Sequence, residues 1–215
     1  MRNKFISPDE MDVIAEMVLT GASFSHLWQG VVKRVDIDAI IEFEYDLEII
    51  WENIDHLAPE EIVLAAIIPS RKQICMNETK KALFDEKMGT MNFSKAHELG
   101  HWILHVTLQQ NYDQLSFCEN EKYLCRSTSM KSPHEIQADM FAASLLMPKD
   151  IITGAINTLK ESGAIVFPDL YRLKDAFEVS ISSLTRRVQE LKLLYIKDKQ
   201  IFYSEAEAMG QYSLL

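Results

Sequence analysis

The chain has 215 residues, 47% hydrophobic and 25% charged, which is the composition of an ordinary globular protein. Its net charge of −10 argues against a surface built mainly to bind nucleic acid or anionic membranes. No run reaches the roughly 18 apolar residues of a membrane span. The three cysteines form no disulfide framework. We therefore expect a cytoplasmic protein with reduced thiols and no membrane contact.

The N-terminal part of the sequence predicts helices followed by a small sheet. Ser7-Pro8 is a typical helix start, and apolar residues recur at helical spacing after it. The predicted elements are a helix at 8–20, a short helix at 36–43, and strands at 47–51, 60–68 and 73–76. The last two strands would form a hairpin. We expect an antiparallel sheet that packs against the following helix.

The central motif is His-Glu-x-x-His at residues 97–101. Residues four apart lie on one helix face, so His97 and His101 can aim their ring nitrogens at one point. Zinc binds such nitrogens at about 2.0–2.1 Å. Glu98, about 100° around the helix, would then flank the metal and act as a base. Ser94 is predicted to cap the N-terminus of this helix.

A catalytic zinc site takes three protein ligands and leaves one position open. Thr107 stands where a longer histidine motif would place a third histidine, and His105 lies about 12 Å along the helix axis from His97. His105 is therefore interpreted as a core residue or as support for a ligand. The next strongly helical segment places Glu135 and Asp139 on one face. We predict that Glu135 is the third ligand and that Asp139 holds the free N–H of a ligating imidazole.

The connection between these two helices, residues 106–133, shows no periodicity, and so long a connection is usually functional or mobile. We expect it to border the cleft. Cys118, Cys125 and His134 leave open a second metal site, although ordinary thiols are the simpler interpretation. The candidates for an oxyanion-stabilising residue are Tyr112, Tyr123 and His105. An extended substrate is expected to pair with an edge strand of the hairpin.

The C-terminal segment predicts a helix, a turn at Ser180, a second helix and a β-hairpin at 195–203. This order is that of winged helix-turn-helix modules, in which Arg186 and Arg187 of the second helix could touch phosphate. Residues 168–203 carry seven Lys and Arg against five Asp and Glu, a net charge of only +2. That small charge favours a packing module over direct DNA binding.

Several segments together resemble the ImmA/IrrE family of metallo-endopeptidases. They are residues 35–40, the hairpin end Met76-Asn77-Glu78, the His-Glu-Leu-Gly-His helix, and Glu135-x-x-Ala138-Asp139-x-Phe141-Ala142-Ala143-x-Leu145-Leu146-Met147-Pro148. The segment from Phe177 to Leu191 is similar to the helical module that follows the peptidase core in that family. The resemblance implies an α+β fold, with a minimal zincin-like core in which a small antiparallel sheet packs on an active-site helix. A winged helix-turn-helix-like module would follow this core.

By position, the resemblance implies that His97, His101 and Glu135 bind one zinc ion, with manganese as the alternative metal. Glu98 would be the catalytic base and Asp139 the partner of a ligand. The implied substrate is a helix-turn-helix repressor of a mobile element or stress-response locus, whose cleavage releases transcription. The competing hypothesis is a non-catalytic, metal-stabilised regulator that binds a repressor or DNA through the C-terminal module.

The residue pattern changes from Pro168 onward, and we predict two domains that divide after residue 163. Residues 1–163 would form the zincin-like metallopeptidase domain. Residues 164–215 would form the helical, helix-turn-helix-like module and a frayed tail after Tyr203.

Overall fold

A computed structural model describes residues 6–59, 62–107 and 132–210, together with the backbone of 123–126. Within these ranges the chain is a mixture of helices and small sheets, which confirms the α+β prediction. None of the described helices has both the length and the apolar character that a membrane crossing requires. Tyr112, Cys118 and the side chains of Tyr123 and Cys125 lie outside the described residues. The predicted roles of these four residues stay predictions.

The first helix, α1, spans Pro8–Gly21 and begins as the sequence predicts. The Ser7 hydroxyl accepts the Glu10 backbone N–H, and the Glu10 carboxylate accepts the Ser7 N–H at 2.8 Å. This reciprocal cap satisfies two donors at the helix start. The predicted second helix is found as α2, Ile37–Ala39, which continues as a π-helix over Ile40–Glu44.

The main sheet contains β1 (Glu48–Glu52), β2 (Val63–Ile68), β3 (Gln73–Asn77) and β4 (Tyr123–Arg126), in the spatial order β1-β3-β2-β4. Strands β2 and β3 form the predicted antiparallel hairpin. The prediction of an antiparallel sheet is wrong for β1, which runs parallel to β3. The reason is that β3 folds back between β1 and β2, and therefore runs in the direction of β1.

Neither hairpin strand is at an edge of this sheet. Strand β2 pairs with β3 on one side and with β4 on the other, and β3 lies between β2 and β1. The expectation that substrate pairs with an edge strand of the hairpin is therefore wrong for the sheet as it stands. Strand β4 occupies the edge next to β2. It comes from the long connection, whose sequence shows no strand periodicity, so it was not predicted.

The motif helix, α4, spans Met88–His101 and follows the short helix α3, Lys81–Glu86. It continues as a π-helix over Trp102–Thr107. The prediction that Ser94 caps this helix is wrong, because the helix starts two turns earlier and buries Ser94. Directly after Ser94, the buried Lys95 ammonium binds the Asp38 carboxylate at 2.7 Å.

The second half of the chain is helical with a terminal hairpin. Its elements are α5 (Pro133–Leu146), α6 (Lys149–Ser162), α7 (Phe167–Phe177), α8 (Ile181–Glu190), β5 (Tyr195–Lys197), β6 (Gln200–Phe202) and α9 (Glu205–Ala208). The predicted order of helix, turn, helix and hairpin is confirmed. The expected frayed tail instead includes α9, which Ser204 caps. One hydrophobic core takes side chains from both sides of residue 163. The two-domain division stays a prediction.

A buried ion pair ties α8 to the N-terminal helix. The Arg187 side chain is only 3% exposed and binds the Asp12 carboxylate of α1 at 2.5 Å. Arg187 also donates to the Met147 carbonyl oxygen, and the Ser144 hydroxyl donates to Asp12. The prediction that Arg187 touches phosphate is therefore wrong, because its charge is neutralised inside the protein.

Replacing Gly89 with Ala is expected to lower the free energy of unfolding by about 1–3 kcal/mol. A Cβ at this position of α4 would lie 2.3 Å from the Val179 carbonyl carbon and 2.6 Å from the Ser180 nitrogen. These are backbone atoms of the α7–α8 turn, so moving them costs more than the roughly 1 kcal/mol that Ala gains in a helix. Urea unfolding of the variant measures the change.

The matched control for this prediction is Gly21→Ala, at the end of α1. Apart from its own helix backbone and chain neighbours, nothing in the described part of the chain lies within 4 Å of a Cβ built there. Its unfolding free energy should stay unchanged or rise slightly. Equal stabilities of the two alanine variants would contradict the close approach of α4 to the α7–α8 turn.

Candidate metal centre

The structure brings together the three residues that the sequence predicts as metal ligands. Helix α4 places the Nε2 atoms of His97 and His101 3.0 Å apart. Glu135 of α5 lies 3.1 Å from each, through Oε2 to His97 and through Oε1 to His101. Within the described chain, these three form the group of His, Cys, Asp and Glu side chains whose ligand atoms converge. Their role as ligands stays a prediction.

A glycine allows the two ligand-bearing helices to approach. A Cβ on Gly100 of α4 would lie 3.0 Å from the Phe141 ring and 3.3 Å from the Ala138 Cα. Both neighbours belong to α5, so a side chain at position 100 would require them to move by at least a few tenths of an ångström. Ser132 fixes the start of α5 by accepting the Glu135 backbone N–H at 3.3 Å. Glu135 is thereby held in the first turn of α5.

The donor atoms fit a small divalent cation. In a tetrahedral zinc site with bonds of about 2.0–2.1 Å, neighbouring ligand atoms lie about 3.3 Å apart. The three separations of 3.0 to 3.1 Å are close to that spacing. Two neutral imidazoles and one carboxylate also match the His₂Glu donor set of catalytic zinc sites.

Asp139 lies one helical turn after Glu135 and contacts His97 from the other side of the ring. Its Oδ1 is 3.0 Å from His97 Nδ1. A carboxylate accepts hydrogen bonds, so Nδ1 donates its proton to Asp139, and Nε2 is the nitrogen that would bind a metal after losing its own proton. This arrangement fixes the ring orientation and the tautomer that a metal requires.

Burial and mutual contacts shift the pKa values of the three predicted ligands in different directions. Burial alone would lower the pKa of His97, but hydrogen bonds with Asp139 and Glu135 outweigh it and raise the pKa to about 9. Burial lowers the pKa of His101, against the effect of its contact with Glu135. Burial would raise the pKa of Glu135, but the two histidines hold it well below its usual range. Without metal, His97 is therefore the protonated histidine of the pair, and His101 is neutral.

Glu98 is fully buried, and the main chain of the sheet holds its carboxylate. The Ile67 N–H of β2 donates to Glu98 Oε2 at 2.7 Å. The predicted base thus follows His97 directly on α4 and is oriented by the neighbouring strand. Sequence reasoning missed this contact because a backbone N–H is present at almost every position and leaves no signal.

His105 lies in the π-helix that extends α4. Burial and the neighbouring His101 lower its pKa to about 3, so its ring is neutral. Its Nε2 lies 3.3 Å from the His134 carbonyl oxygen, at the start of α5. The prediction that His105 belongs to the core or supports a ligand agrees with this buried position.

Zinc uptake is expected to weaken as the pH falls, because the site must lose a proton to bind the ion. The pKa of His97 is about 9, so at lower pH each zinc ion displaces one proton from this ring. The apparent affinity should fall about tenfold per pH unit below that pKa and level off above it. Competition with a chelating dye at several pH values measures this slope, and a flat profile would contradict it.

A family model described as the IrrE N-terminal-like domain, a peptidase domain, matches residues 67–189. This match covers more than half of the chain. The chain belongs to this family. The matched region includes both ligand-bearing helices and most of α8, and it confirms the resemblance that the motifs carry. No match was found among curated proteins.

Membership in the IrrE N-terminal-like family supports a metallopeptidase-type function. The match begins at Ile67, the residue whose N–H binds Glu98. It therefore includes the end of β2 that contacts the predicted base, as well as the predicted ligands. Gly100, where α4 and α5 approach closely, also lies inside the matched region.

Proposed function

We propose that this IrrE-type protein is a zinc-dependent endopeptidase whose substrate is a helix-turn-helix transcriptional repressor. The observation that carries the proposal is the convergence of His97, His101 and Glu135, with Glu98 beside His97 on the same helix. A structural zinc site is normally closed by four protein ligands. The cluster found in the described part of the chain offers three, which is the number that a catalytic site uses.

The chain supplies the proton transfers of peptide hydrolysis. A bound zinc ion would lower the pKa of water to about 7 and polarise the scissile carbonyl. Glu98 accepts the proton of the attacking water as the new C–O bond forms, and passes it to the leaving amine as the C–N bond breaks. The Ile67 N–H keeps the Glu98 carboxylate oriented throughout. Asp139 keeps the His97 ring in its ligating tautomer.

Support for the repressor as substrate comes from the resemblance to ImmA/IrrE endopeptidases, and support for hydrolysis comes from the site. The competing regulator would bind DNA or a repressor through the C-terminal module, including α8, without cutting it. Burial of Arg187 in an ion pair with Asp12 removes one of the two cations that such contact would use. We therefore favour the peptidase.

Incubation with candidate helix-turn-helix repressors, beginning with any that a neighbouring gene encodes, tests the proposal. We expect a repressor fragment on a gel when zinc is present and none after chelation, with manganese tested as the alternative metal. A shifted DNA band with intact repressor would support the regulator instead. An intact repressor with no shift would overturn this substrate assignment.

A further inference from the structure

His105 is a buried histidine on the motif helix that the proposed chemistry does not use. An α-helix advances about 100° per residue, so regular winding would turn His105 about 80° away from His97. The helix instead widens into a π-helix over Trp102–Thr107. Since a π-helix advances less per residue, His105 stays close to the face that carries the ligands. Such widened turns are frequent at functional sites.

A line of ring contacts leads from the predicted ligands to His105 and on to α5. The ring centroids of His101 and His105 are 5.3 Å apart, and those of His105 and His134 are 4.4 Å apart. His105 Nε2 lies 3.3 Å from the His134 carbonyl oxygen. A carbonyl only accepts, so Nε2 carries the proton and donates it into this hydrogen bond.

The accepting carbonyl belongs to the peptide unit that joins His134 to Glu135. A hydrogen bond to that unit restrains the first turn of α5, where the Glu135 side chain begins. Ser132 restrains the same turn from the other side through the Glu135 N–H. The peptide unit between His134 and Glu135 is thus held by hydrogen bonds at its C=O and at its N–H. These two bonds fix the point from which the Glu135 side chain reaches His97 and His101.

We propose that His105 is a positioning residue, which holds Glu135 at bonding distance from the metal through the His134 carbonyl. The inference rests on the proposed metal site but assigns no metal contact to His105. Contacts of this kind behind a ligand typically change metal affinity by about 10–100-fold. The effect should therefore appear in zinc affinity, independently of peptide cleavage.

Two amide substitutions at position 105 have the same polarity but differ in whether the side chain is long enough to donate to the His134 carbonyl. In His105→Gln the side-chain amide nitrogen reaches about the position of Nε2, whereas in His105→Asn it stops about one bond short. Both variants bury a similar amide, so we expect similar thermal unfolding of the zinc-free proteins. Zinc affinity should stay within about threefold of wild type for Gln and fall about tenfold for Asn. Equal zinc affinities of the two variants would overturn the proposal.

Two further measurements do not depend on the folding of these variants. His134→Ala keeps the carbonyl and removes the ring, so its zinc affinity should stay within about threefold of wild type. A tenfold loss would assign the role to the His134 ring and overturn the proposal. Nitrogen NMR of the imidazoles in the zinc-loaded wild-type chain should show a protonated Nε2 on His105. An Nδ1-protonated ring would also overturn it. A wild-type chain that binds no zinc would instead overturn the metal site itself.

Discussion

Replacing Glu98 with Gln should leave zinc bound and lower peptide cleavage by about 10²–10⁴-fold. The amide keeps the size of the buried side chain, and its carbonyl oxygen can still accept the Ile67 N–H. It cannot take a proton from the attacking water at neutral pH. Repressor cleavage followed on a gel over time, together with the zinc content of the purified variant, measures both parts of this expectation.

The matched control for this variant is Glu86→Gln, which makes the same change on an exposed residue at the end of α3. It should cleave at the wild-type rate, because it removes a charge without touching the site. Cleavage by the Glu98 variant at a rate comparable with this control would remove Glu98 from the role of base. A variant that loses zinc as well would point to a structural role for the carboxylate.

Replacing Glu135 with Ala should abolish stable zinc binding. The side chain supplies the only carboxylate of the three converging ligands in the described chain, and its oxygens lie 3.1 Å from both histidine nitrogens. The loss of affinity should exceed the about 100-fold that marks the upper end for contacts behind a ligand. Metal analysis after extensive dialysis, compared with the wild-type protein, measures it.

The control for the ligand variant is Glu161→Ala, an exposed position near the end of α6. This protein should retain one zinc ion per chain. If the Glu135 variant also retained one zinc per chain after dialysis, another donor would have to replace the carboxylate, and the His₂Glu assignment would be wrong. Retention of the helix content of both proteins by circular dichroism shows that the comparison concerns the site alone.

The predicted site came from side chains whose spacing matches the period of a helix. His97 and His101 share one face because they are four residues apart, and the same spacing unites Glu135 and Asp139. The structure then places the two pairs next to each other. Helical periodicity therefore predicted which residues share a face within each helix. The approach of the two helices to each other is a tertiary contact. Chemical identity also helped, because imidazole and carboxylate are the donors that zinc prefers.

The errors arose where tertiary contacts or backbone groups decide the structure. Ser94 looks like a helix cap in isolation, but packing of α4 extends the helix past it. The parallel pairing of β1 with β3 depends on where the hairpin folds back, which local patterns do not encode. The donor that orients Glu98 is the Ile67 main chain. The residues next to Arg187 in the sequence are those of an ordinary exposed helix. Its partner Asp12 is 175 residues away, so the sequence around Arg187 does not reveal its burial.

The burial of Arg187 limits the positive charge that α8 could present to a DNA duplex. Cation–phosphate contacts bind DNA by releasing counterions, and each contact adds about 0.9 to the slope of log affinity against log salt. Along α8, Arg186 is the exposed cation, and it is followed by an exposed anion, Glu190. We expect this face to displace few counterions, so any binding to DNA through α8 alone should depend only weakly on potassium chloride concentration.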